Sequence, residues 1–526
     1  MIAHALATRG EAALHWLEGD FAFAAQHGPS SRVLAARDFG GHQALFYAAT
    51  TDALWVGTDV DTLLERAALP RTLDLAALAT AAAGLWGHDP ATAYAAVREV
   101  PAGHVLTWRP DQQPQCAPFW RVPDRIAVRR APLDDAAMEL RGLLEAAIAE
   151  RVPEGSVAAV SLSGGWDSTA VYGTAKAIGR DLHAVSISYP SGDPGREDEL
   201  IAQTTEFWKA RPDFIDIADV PLFDDWTGQA RARALPFAHA YEQWNRALHR
   251  RARAAGATVM LDGVGGDQLF QASDRYLSDL ARTFQWGELL RQARIRRGGR
   301  LDWRFLVQQA ALPALPDAVV AGIFRFVRRH PPGDYLERLP PGWFRRDFLL
   351  RHRILDRERE ARPRIDRRRA VLGESQAYLT FAFYPRVFGL LTGFAREEGV
   401  ALRSPLLDER IVRFAVQRPW SDRVDGAETK LLLRRAMRGR LPDELLAPRS
   451  HRTGTTNAYF LRELRGAGWA VAEPLLDDLR LADIGMIEPS HYRRAWQHLL
   501  GHDDDELAVR LFFTLQAELW LRTHSF

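Results

Sequence analysis

The sequence predicts an α/β protein in which a β-rich N-terminal domain precedes a doubly wound parallel sheet and a mainly helical C-terminal part. Three observations support this prediction. Short strand-like runs separated by glycine and proline fill residues 1 to about 125. From residue 158, apolar strands alternate with helical stretches, which is the spacing of a parallel sheet with crossover helices. Beyond about residue 275 the pattern is mainly helical. We therefore expect two domains, residues 1–125 and 132–526.

The individual elements follow from local patterns of apolar and turn residues. In the first domain, predicted strands cover residues 21–25, 31–36, 43–48, 54–57 and 104–108. Residues 123–131 are typical of a linker, and Leu133–Arg151 has the apolar spacing of an amphipathic helix. In the second domain, predicted strands cover residues 158–162, 183–188, 214–217 and 258–261.

The first candidate site is the stretch Ser163-Gly164-Gly165-Trp166-Asp167-Ser168, between a strand that ends at Leu162 and a helix. A strand, a glycine turn and a helix start leave backbone N–H groups free to hold an anion. Gly164 and Gly165 allow close approach to a phosphate, and the serine hydroxyls can donate to it. Asp167 is a candidate ligand for the Mg²⁺ of a polyphosphate. The alternative is a plain turn capped by Asp167 or Ser168.

A second glycine motif follows the predicted strand at residues 258–261. It runs Leu261-Asp262-Gly263-Val264-Gly265-Gly266-Asp267 and again places glycines and an acid at a strand's carboxyl end, where open α/β sheets bind ligands. Asp167 and Asp267 are therefore a candidate pair for one Mg²⁺. The sequence lacks a Gly-x4-Gly-Lys-Ser/Thr motif, which excludes a Walker-type nucleotide site.

Together the two motifs resemble the pyrophosphate-loop ATP site of the asparagine synthetase superfamily. That resemblance implies cleavage of ATP between its α and β phosphates, adenylation of a carboxylate and release of pyrophosphate. It implies an ATP site formed by Leu162, Ser163, Gly164, Gly165, Asp167, Ser168, Ser188, Gly263, Gly265 and Gly266, with Mg²⁺ on Asp167 and Asp267.

The N-terminal domain resembles the later part of the glutamine amidotransferase domain of the same enzymes. The resemblance rests on four segments in one order, Gly19–Phe23, Ala36–Asp38, Leu45–Tyr47 and Val100–His104. In that family a cysteine at the extreme N-terminus releases ammonia from glutamine, whereas here residue 2 is Ile2 and the single cysteine is Cys116. We therefore expect a degenerate, structural domain. The family usually has tens of residues before the first segment, which is consistent with a start upstream of Met1.

Two C-terminal segments resemble the same superfamily. Leu402–Asp408 is similar to its Arg-x-Pro-Phe-Leu-Asp segment, and Glu428–Ala436 to its Lys-x-x-Leu-Arg helix. Lys430 therefore either contacts a phosphate or caps a helix. The family glutamate that assists amine attack is replaced by Ala401, and Glu398, with Glu397 beside it, lies one helical turn earlier.

A third segment, residues 448–456, corresponds to the stretch in which the superfamily has a lysine that stabilises the transition state. The resemblance implies that His451 or Arg452 supplies the positive charge here. The alternative is a surface turn.

The branch of the superfamily is set by the amine that attacks the adenylate. Without an amidotransferase cysteine, an amine already present in the substrate is favoured, because intramolecular closure gains effective concentration. The arginine-rich helical region and residues 452–456 look most like lasso peptide macrolactam synthetases, cyclases that join a core peptide's N-terminal amine to an Asp or Glu side chain. This implies a precursor core peptide as substrate, and a leader peptidase and a leader-binding protein as partners. The alternatives are a β-lactam-synthetase-like or asparagine-synthetase-like small-molecule ligase, and a non-catalytic ATP-binding scaffold.

Composition narrows the remaining function classes. The net charge of +1 implies neither a general nucleic-acid binder nor a membrane-surface protein. Residues 291–370 are rich in arginine, which indicates a solvated helix face or, alternatively, a patch for an acidic peptide, a partner or pyrophosphate. One cysteine suits a reducing compartment, and the sequence has no run of about 18 apolar residues. We therefore expect a cytoplasmic protein with no nucleic acid and no membrane among its partners.

Overall fold

The structure is a computed structural model that describes residues 2–27, 32–122, 127–316, 319–320, 338–365, 369–449 and 454–526. Its N-terminal part contains two antiparallel sheets. Their strands are β1 (Ala22–His27), β2 (Arg32–Arg37), β3 (Phe46–Ala49), β4 (Leu54–Gly57), β5 (Arg98–Glu99), β6 (His104–Trp108) and β7 (Gln115–Pro118). One sheet has the order β1-β2-β6-β7 and the other β4-β3-β5. Ala35 and Leu106 of the first sheet share a buried core with Tyr47 of the second, so the two sheets pack face to face.

The second part is built on a five-stranded parallel sheet. Its strands are β8 (Ala158–Ser161), β9 (Leu182–Ser188), β10 (Asp213–Asp216), β11 (Val259–Leu261) and β12 (Ala401–Arg403), in the order β10-β9-β8-β11-β12. Alternate residues enter different cores: Ala158 and Val160 lie in one, and Ala159 and Met260 in the other. Helices cover both faces, and the predicted doubly wound parallel sheet is confirmed.

Helices make up most of the remaining described chain. They are α1 (Ile2–Arg9), α2 (Val60–Arg66), α3 (Leu75–Ala82), α4 (Leu133–Arg151), α5 (Trp166–Ala177), α6 (Asp198–Phe207), α7 (Trp226–Ala232), α8 (Glu242–Ala254), α9 (Gly266–Phe270), α10 (Tyr276–Arg282), α11 (Trp286–Arg296), α12 (Trp303–Leu306), α13 (Leu312–Ala314), α14 (Arg346–Arg351), α15 (Ile354–Ala361), α16 (Ala370–Thr380), α17 (Phe383–Glu397), α18 (Glu409–Val416), α19 (Leu431–Ala436), α20 (Asp443–Leu446), α21 (Asn457–Glu463), α22 (Trp469–Ala472), α23 (Arg480–Asp483), α24 (Pro489–Gly501) and α25 (Asp505–Thr523).

The C-terminal helix α25 links the two parts of the molecule. Leu515 and Trp520 are almost fully buried, in a core that also contains Leu78 of α3 and Trp226 of α7. The Thr514 hydroxyl donates to the carbonyl of Ala82 at 2.8 Å. The N-terminal part therefore shares its apolar core with the second part of the molecule, which is built on the parallel sheet.

The structure also departs from the sequence-based expectations. Residues 60–66 and 75–82, in a region expected to hold strands and turns, form helices capped by Asp59 and Asp74. Strands β5, β7 and β12 were not predicted. Part of the predicted linker, residues 123–126, lies outside the described residues, as do Arg367 and Arg368 of the arginine-rich region. Within the described part of the chain, no helix combines the length and apolar character needed to cross a membrane.

Candidate active site

The candidate site lies where β8 and β11 end side by side, because these strands are adjacent and parallel. The loop Leu162–Gly165 joins β8 to α5, and the loop Asp262–Gly265 joins β11 to α9. The two loops touch: a Cβ on Gly263 would lie 2.5 Å from the backbone nitrogen of Ser168, and one on Gly266 would lie 2.1 Å from Cγ of Asp167. A Cβ at Gly263 would meet main-chain atoms that cannot rotate away, and one at Gly266 would displace the Asp167 carboxylate, so both positions favour glycine.

Lys430 connects the two candidate metal ligands. It precedes α19 with a positive φ of 54°, and its Nζ lies 2.5 Å from Oδ2 of Asp167 and 2.7 Å from Oδ1 of Asp267. The Lys430 side chain is 9% exposed, and that of Asp167 is 18% exposed. The structure thus brings the predicted pair Asp167 and Asp267 together on Lys430, whose side chain pairs with both carboxylates and makes no capping hydrogen bond to α19.

The electrostatics of this group are those of a partly neutralised carboxylate pair. Burial raises the pKa of Asp167 to about 6, which the Lys430 ammonium opposes and the nearby Asp267 carboxylate reinforces. The pKa of Lys430 is raised because both carboxylates outweigh the effect of its burial. Among the described residues, Oδ1 of Asp167 is buried and has no hydrogen-bond partner. An orphaned carboxylate oxygen beside a second carboxylate fits an Mg²⁺ ligand set, with Asp167 and Asp267 as the protein ligands.

The first glycine loop differs from the expectation that its N–H groups stand free. The Ser163 N–H donates to the Ser168 hydroxyl at 3.0 Å, and the Gly165 N–H donates to the Ser163 hydroxyl at 3.2 Å. The Gly164 N–H donates to Oε2 of Glu197 at 2.9 Å. In this structure the protein's own oxygens thus occupy the N–H groups that an anion would use, so anion binding there requires these oxygens to move.

Glu197 was missed by the sequence analysis, although it lies in an acidic run shortly after β9. Its buried carboxylate holds Gly164 and packs against Gly454, where a Cβ would lie 2.5 Å from Oε2. The same loop also contacts Arg449, whose Nη2 donates to the Gly164 carbonyl at 2.6 Å. Glu197 and Arg449 therefore join the first glycine loop to the chain on either side of residues 450–453.

Trp166 was also missed as a site residue. Two guanidinium groups, those of Arg434 and Arg449, each lie 4.9 Å from the centroid of its ring. The indole N–H donates to the carbonyl of Leu445 at 2.7 Å. Trp166 thus contacts two arginines from distant sequence positions, a contribution that motif spacing cannot reveal.

Other predicted site residues that the structure describes lie near the loops, where they contact residues outside the Asp167–Lys430–Asp267 group. The Leu162 carbonyl accepts the Ser186 hydroxyl at 2.6 Å, and the Ser188 hydroxyl donates to Oδ2 of Asp198 at 2.6 Å, both at the carboxyl edge of the sheet. Gly265 has a positive φ of 105° and packs against Leu407. His451 and Arg452 lie outside the described residues.

Glu398 is the predicted residue that the structure does not bring to the loops. Its Oε1 lies 3.5 Å from Nη1 of Arg246, whose other carboxylate partners include Glu397 at 2.8 Å. Glu397 lines a separate cavity of about 320 Å³ between the two parts of the molecule. The proposed role of Glu398 in amine attack remains a prediction.

A cavity of about 570 Å³ opens beside the two loops. Its polar side is formed by Ser163, Asp167, Ser168, Asp262 and Asp267. Much of the remaining lining is aromatic and consists of Tyr241, Phe383, Tyr384, Phe388, Phe460, Phe512 and Phe513.

Two imidazoles also line this cavity and were missed by the sequence analysis. Burial lowers the pKa of both His239 and His249 to about 4. Both rings are therefore neutral at pH 7. The site combines a carboxylate pair for a metal, a lysine, neutral imidazoles and apolar walls.

Comparison with protein families agrees with this arrangement. Residues 139–522 match the asparagine synthase family, and residues 1–120 match a glutamine amidotransferase domain. The first match covers more than half of the chain, so this protein belongs to the asparagine synthase family.

Individual relatives are distant. Amidase chyE of Penicillium rubens is 26% identical over 284 residues, which are 50% of this chain and 41% of the relative. Amidase chry2 of Gibberella zeae is 23% identical over 279 residues, with the same two coverages of 50% and 41%. The glutamine-hydrolyzing asparagine synthetase 3 of Bacillus subtilis is 22% identical over 513 residues, 91% of this chain and 75% of that protein. The matched region therefore spans less than half the length of the two amidases.

Proposed function

We propose that this protein is an AMP-forming lasso peptide macrolactam synthetase. A side-chain carboxylate of a core peptide attacks the α-phosphorus of ATP, and pyrophosphate leaves. The peptide's N-terminal amine then attacks the acyl carbon, the bond to AMP breaks, and the amine loses a proton as the isopeptide bond forms. The observation that carries the ATP-dependent part is the Asp167–Lys430–Asp267 group at the meeting point of the two glycine loops.

Each step has candidate residues in the structure. Asp167 and Asp267 would hold Mg²⁺, which neutralises phosphate charge when bound. The Lys430 ammonium lies where it can contact a phosphate once the carboxylates engage the metal. Arg449, which contacts the Gly164 carbonyl, and Arg434, which lies over the same Trp166 ring, are candidates for contacting the leaving pyrophosphate. Neutral His239 and His249 in the cavity are candidates, besides Glu398, for accepting the amine's proton.

The aromatic side of the cavity supports a large acceptor. A free amino acid substrate such as aspartate requires charged partners along most of its surface, because buried charges must be compensated. Rings such as Phe383, Phe388 and Phe513 offer apolar surface instead, which suits peptide side chains. Cys116, the one cysteine of this sequence, lies exposed on the edge strand β7 and does not line this cavity.

A second candidate is a ligase for a small-molecule acceptor. It is favoured by the relatives, which are named as amidases and as an asparagine synthetase. A third candidate is a non-catalytic scaffold. It is disfavoured because Oδ1 of Asp167 is buried without a hydrogen-bond partner among the described residues, which is costly for stability and suits a metal ligand.

The deciding experiment compares acceptors under Mg²⁺ and ATP. The protein is incubated with a leader-free core peptide encoded beside its gene, with the same peptide acetylated at its N-terminus, and with aspartate plus ammonium or glutamine. We expect AMP and pyrophosphate with both peptides, but loss of one water, measured by mass spectrometry, only from the free peptide. ADP as the sole nucleotide product would contradict the pyrophosphate loop. Strict dependence on ammonium or glutamine would replace cyclisation with amidation.

Variants assign the metal ligands in the same assay. Asp167→Asn and Asp267→Asn should each reduce AMP formation by at least about a hundredfold, because loss of a ligand removes several kcal/mol of charge stabilisation. Cys116→Ala is the matched control and should retain full activity, since its side chain is exposed and is not among the residues that line the cavity beside the loops. Near-normal rates in either aspartate variant would refute the metal assignment, and a folded but inactive Cys116→Ala protein would restore an amidotransferase function for the N-terminal domain.

A further inference from the structure

A buried group of charged side chains connects the N-terminal part to the second glycine loop. Nδ1 of His42 lies 3.1 Å from Oδ1 of Asp38 and 3.4 Å from Oδ1 of Asp20. The side chains of His42, Asp38 and Asp20 are 5%, 1% and 9% exposed. The His42 ring also stacks on Phe388 of α17, with centroids 5.8 Å apart, and Phe388 lines the candidate nucleotide cavity.

His42 carries a positive charge at neutral pH. Burial lowers its pKa, but Asp20 and Asp38 outweigh this effect, with a further contribution from Asp262, and raise the pKa to about 9. Asp38 is also satisfied by the backbone N–H groups of His42 and Gln43, at 3.2 Å and 3.4 Å. We interpret the group as ion-paired; among the described residues, Nε2 of His42 is buried without a hydrogen-bond partner.

A continuous set of contacts leads from His42 to the loop. Oδ2 of Asp20 lies 3.4 Å from Nη1 of Arg403, the last residue of β12. The Arg403 carbonyl accepts the Asp262 N–H at 3.1 Å. The Asp262 carboxylate accepts the Val264 N–H at 3.1 Å and a hydrogen bond from the Ser404 side chain, and its side chain lines the cavity.

Asp262 is the residue of this connection that lines the cavity, and its pKa depends on the charge of His42. Burial raises its pKa to about 6, and His42 is one of the groups that lower it. The charged groups acting on His42 are Asp20 and Asp38 from its own domain and Asp262 from the other part of the molecule, and Arg403 joins the group through its ion pair with Asp20. Without the imidazolium, these three carboxylates would share the one arginine of the group.

We propose that His42 is a positioning residue for the second glycine loop, so that the amidotransferase-like domain supports nucleotide binding without any nucleophile chemistry of its own. Its imidazolium holds Asp20, which holds Arg403, and the β12 backbone in turn holds Asp262 at the base of the loop. This inference rests on the proposed ATP site, because the loop matters only if nucleotide binds there.

The test measures binding of a non-hydrolysable nucleotide to the full-length protein. The probe is the Mg²⁺ complex of α,β-methylene-ATP, with affinity from calorimetry and loop mobility from hydrogen exchange of residues 262–268. We expect His42→Gln to weaken affinity about tenfold, equivalent to about 1.4 kcal/mol, and to speed exchange in the loop. His42→Lys retains the charge and should stay within about threefold of the unaltered protein. Asp20→Asn should also weaken affinity.

The matched control is His88→Gln. His88 is another buried histidine of the same domain, but burial and nearby arginines lower its pKa to about 3, so its neutral ring cannot form an ion pair at pH 7. This variant should bind the probe normally.

The outcomes separate the two proposals. If the unaltered protein does not bind the probe, the proposed function fails. If it binds and a folded His42→Gln protein binds equally well with unchanged exchange, His42 has no positioning role. Equal weakening in His42→Gln and His42→Lys would also overturn the inference, because charge would not be the cause. If the His42→Gln protein does not fold, normal binding of the probe by Asp20→Asn would contradict the positioning role proposed for His42.

Discussion

At the residue scale, Lys430 determines whether two carboxylates can stay ionised next to each other. Its Nζ bridges Asp167 and Asp267 at 2.5 Å and 2.7 Å, and it is one of only three lysines in the chain. Every other residue in the Lys and Arg total is arginine, so lysine is the rare choice in this chain. A compact ammonium fits between two carboxylate oxygens, whereas a planar guanidinium needs more room.

Lys430→Met should destabilise the protein in a pH-dependent manner. Removing one partner of a buried ion pair costs about 3 kcal/mol of unfolding free energy. The pKa of Asp167, already raised to about 6, should then rise further. A carboxyl group whose folded pKa exceeds its unfolded value destabilises the fold as pH rises above the unfolded value. We therefore expect a large loss at pH 7.5 and a smaller one at pH 5, measured by denaturant unfolding without Mg²⁺.

The matched control for this variant is Lys176→Met. Lys176 pairs at 2.8 Å with Asp181, whose side chain is 96% exposed, and such surface pairs contribute little. Its unfolding midpoint should be unchanged at both pH values. An equal loss at pH 5 and pH 7.5 in Lys430→Met would show that packing, and not the carboxylate pair, explains the effect.

At the element scale, the two glycine loops form one unit, because each limits the space available to the other. Gly263 lies against the backbone nitrogen of Ser168, the helix start that follows the first loop. A Cβ there meets main-chain atoms that cannot rotate away, unlike the end of a flexible side chain. The short distance between the carboxyl ends of β8 and β11 thus depends on residue 263 being glycine, which has no side chain.

Gly263→Ala should weaken binding of the Mg²⁺ complex of α,β-methylene-ATP by at least about tenfold, because the added methyl group separates the loops. Gly142→Ala is the control: Gly142 is an exposed residue of α4, where an added Cβ would meet no heavy atom within 4 Å. Alanine there should stabilise the helix by up to about 1 kcal/mol. Calorimetric titration of both variants checks this expectation. Unchanged affinity in Gly263→Ala would mean that the loops tolerate separation.

At the scale of the whole molecule, the N-terminal part and the synthetase part share one core. Helix α25 contributes Leu515 and Trp520 to a cluster that includes Leu78 of α3 and Trp226 of α7. Ion pairs add to this connection, since Glu99 holds Arg37 of its own domain at 2.6 Å and Arg386 of α17 at 2.8 Å. We therefore expect the two parts to unfold together.

Leu515→Ala should lower the unfolding free energy by about 2–5 kcal/mol and leave a single calorimetric transition. Leu515 is fully buried, so its loss creates a cavity in the shared core. Val509→Ala on the same helix is the control; Val509 is 37% exposed, and the change should cost less than about 1 kcal/mol. Two separate transitions, of which only one responds to Leu515→Ala, would show that the parts fold independently.

Patterns within a few residues were enough to predict several elements of this fold. Helix α4 has the predicted bounds, Leu133–Arg151, because its apolar spacing is regular and Pro132 precedes it. The strands before both glycine motifs were predicted within one residue at their carboxyl ends. Helices α2 and α3 were missed, although the capping aspartates Asp59 and Asp74 were visible signals.

The sequence by itself determined which residue types stand at the carboxyl ends of β8 and β11, and the tertiary structure decided how they are arranged. Glycine spacing and the acids Asp167 and Asp267 predict a phosphate and metal site, because glycine allows close approach to a phosphate and carboxylates are ligands for Mg²⁺. The contacts of Glu197 with Gly164, of Trp166 with two arginines, and of His42 with Asp20 join residues far apart along the chain. Strand β12, only three residues long, likewise has no local signature. Such features depend on long-range packing, which brings partners together without leaving a periodic pattern in the sequence.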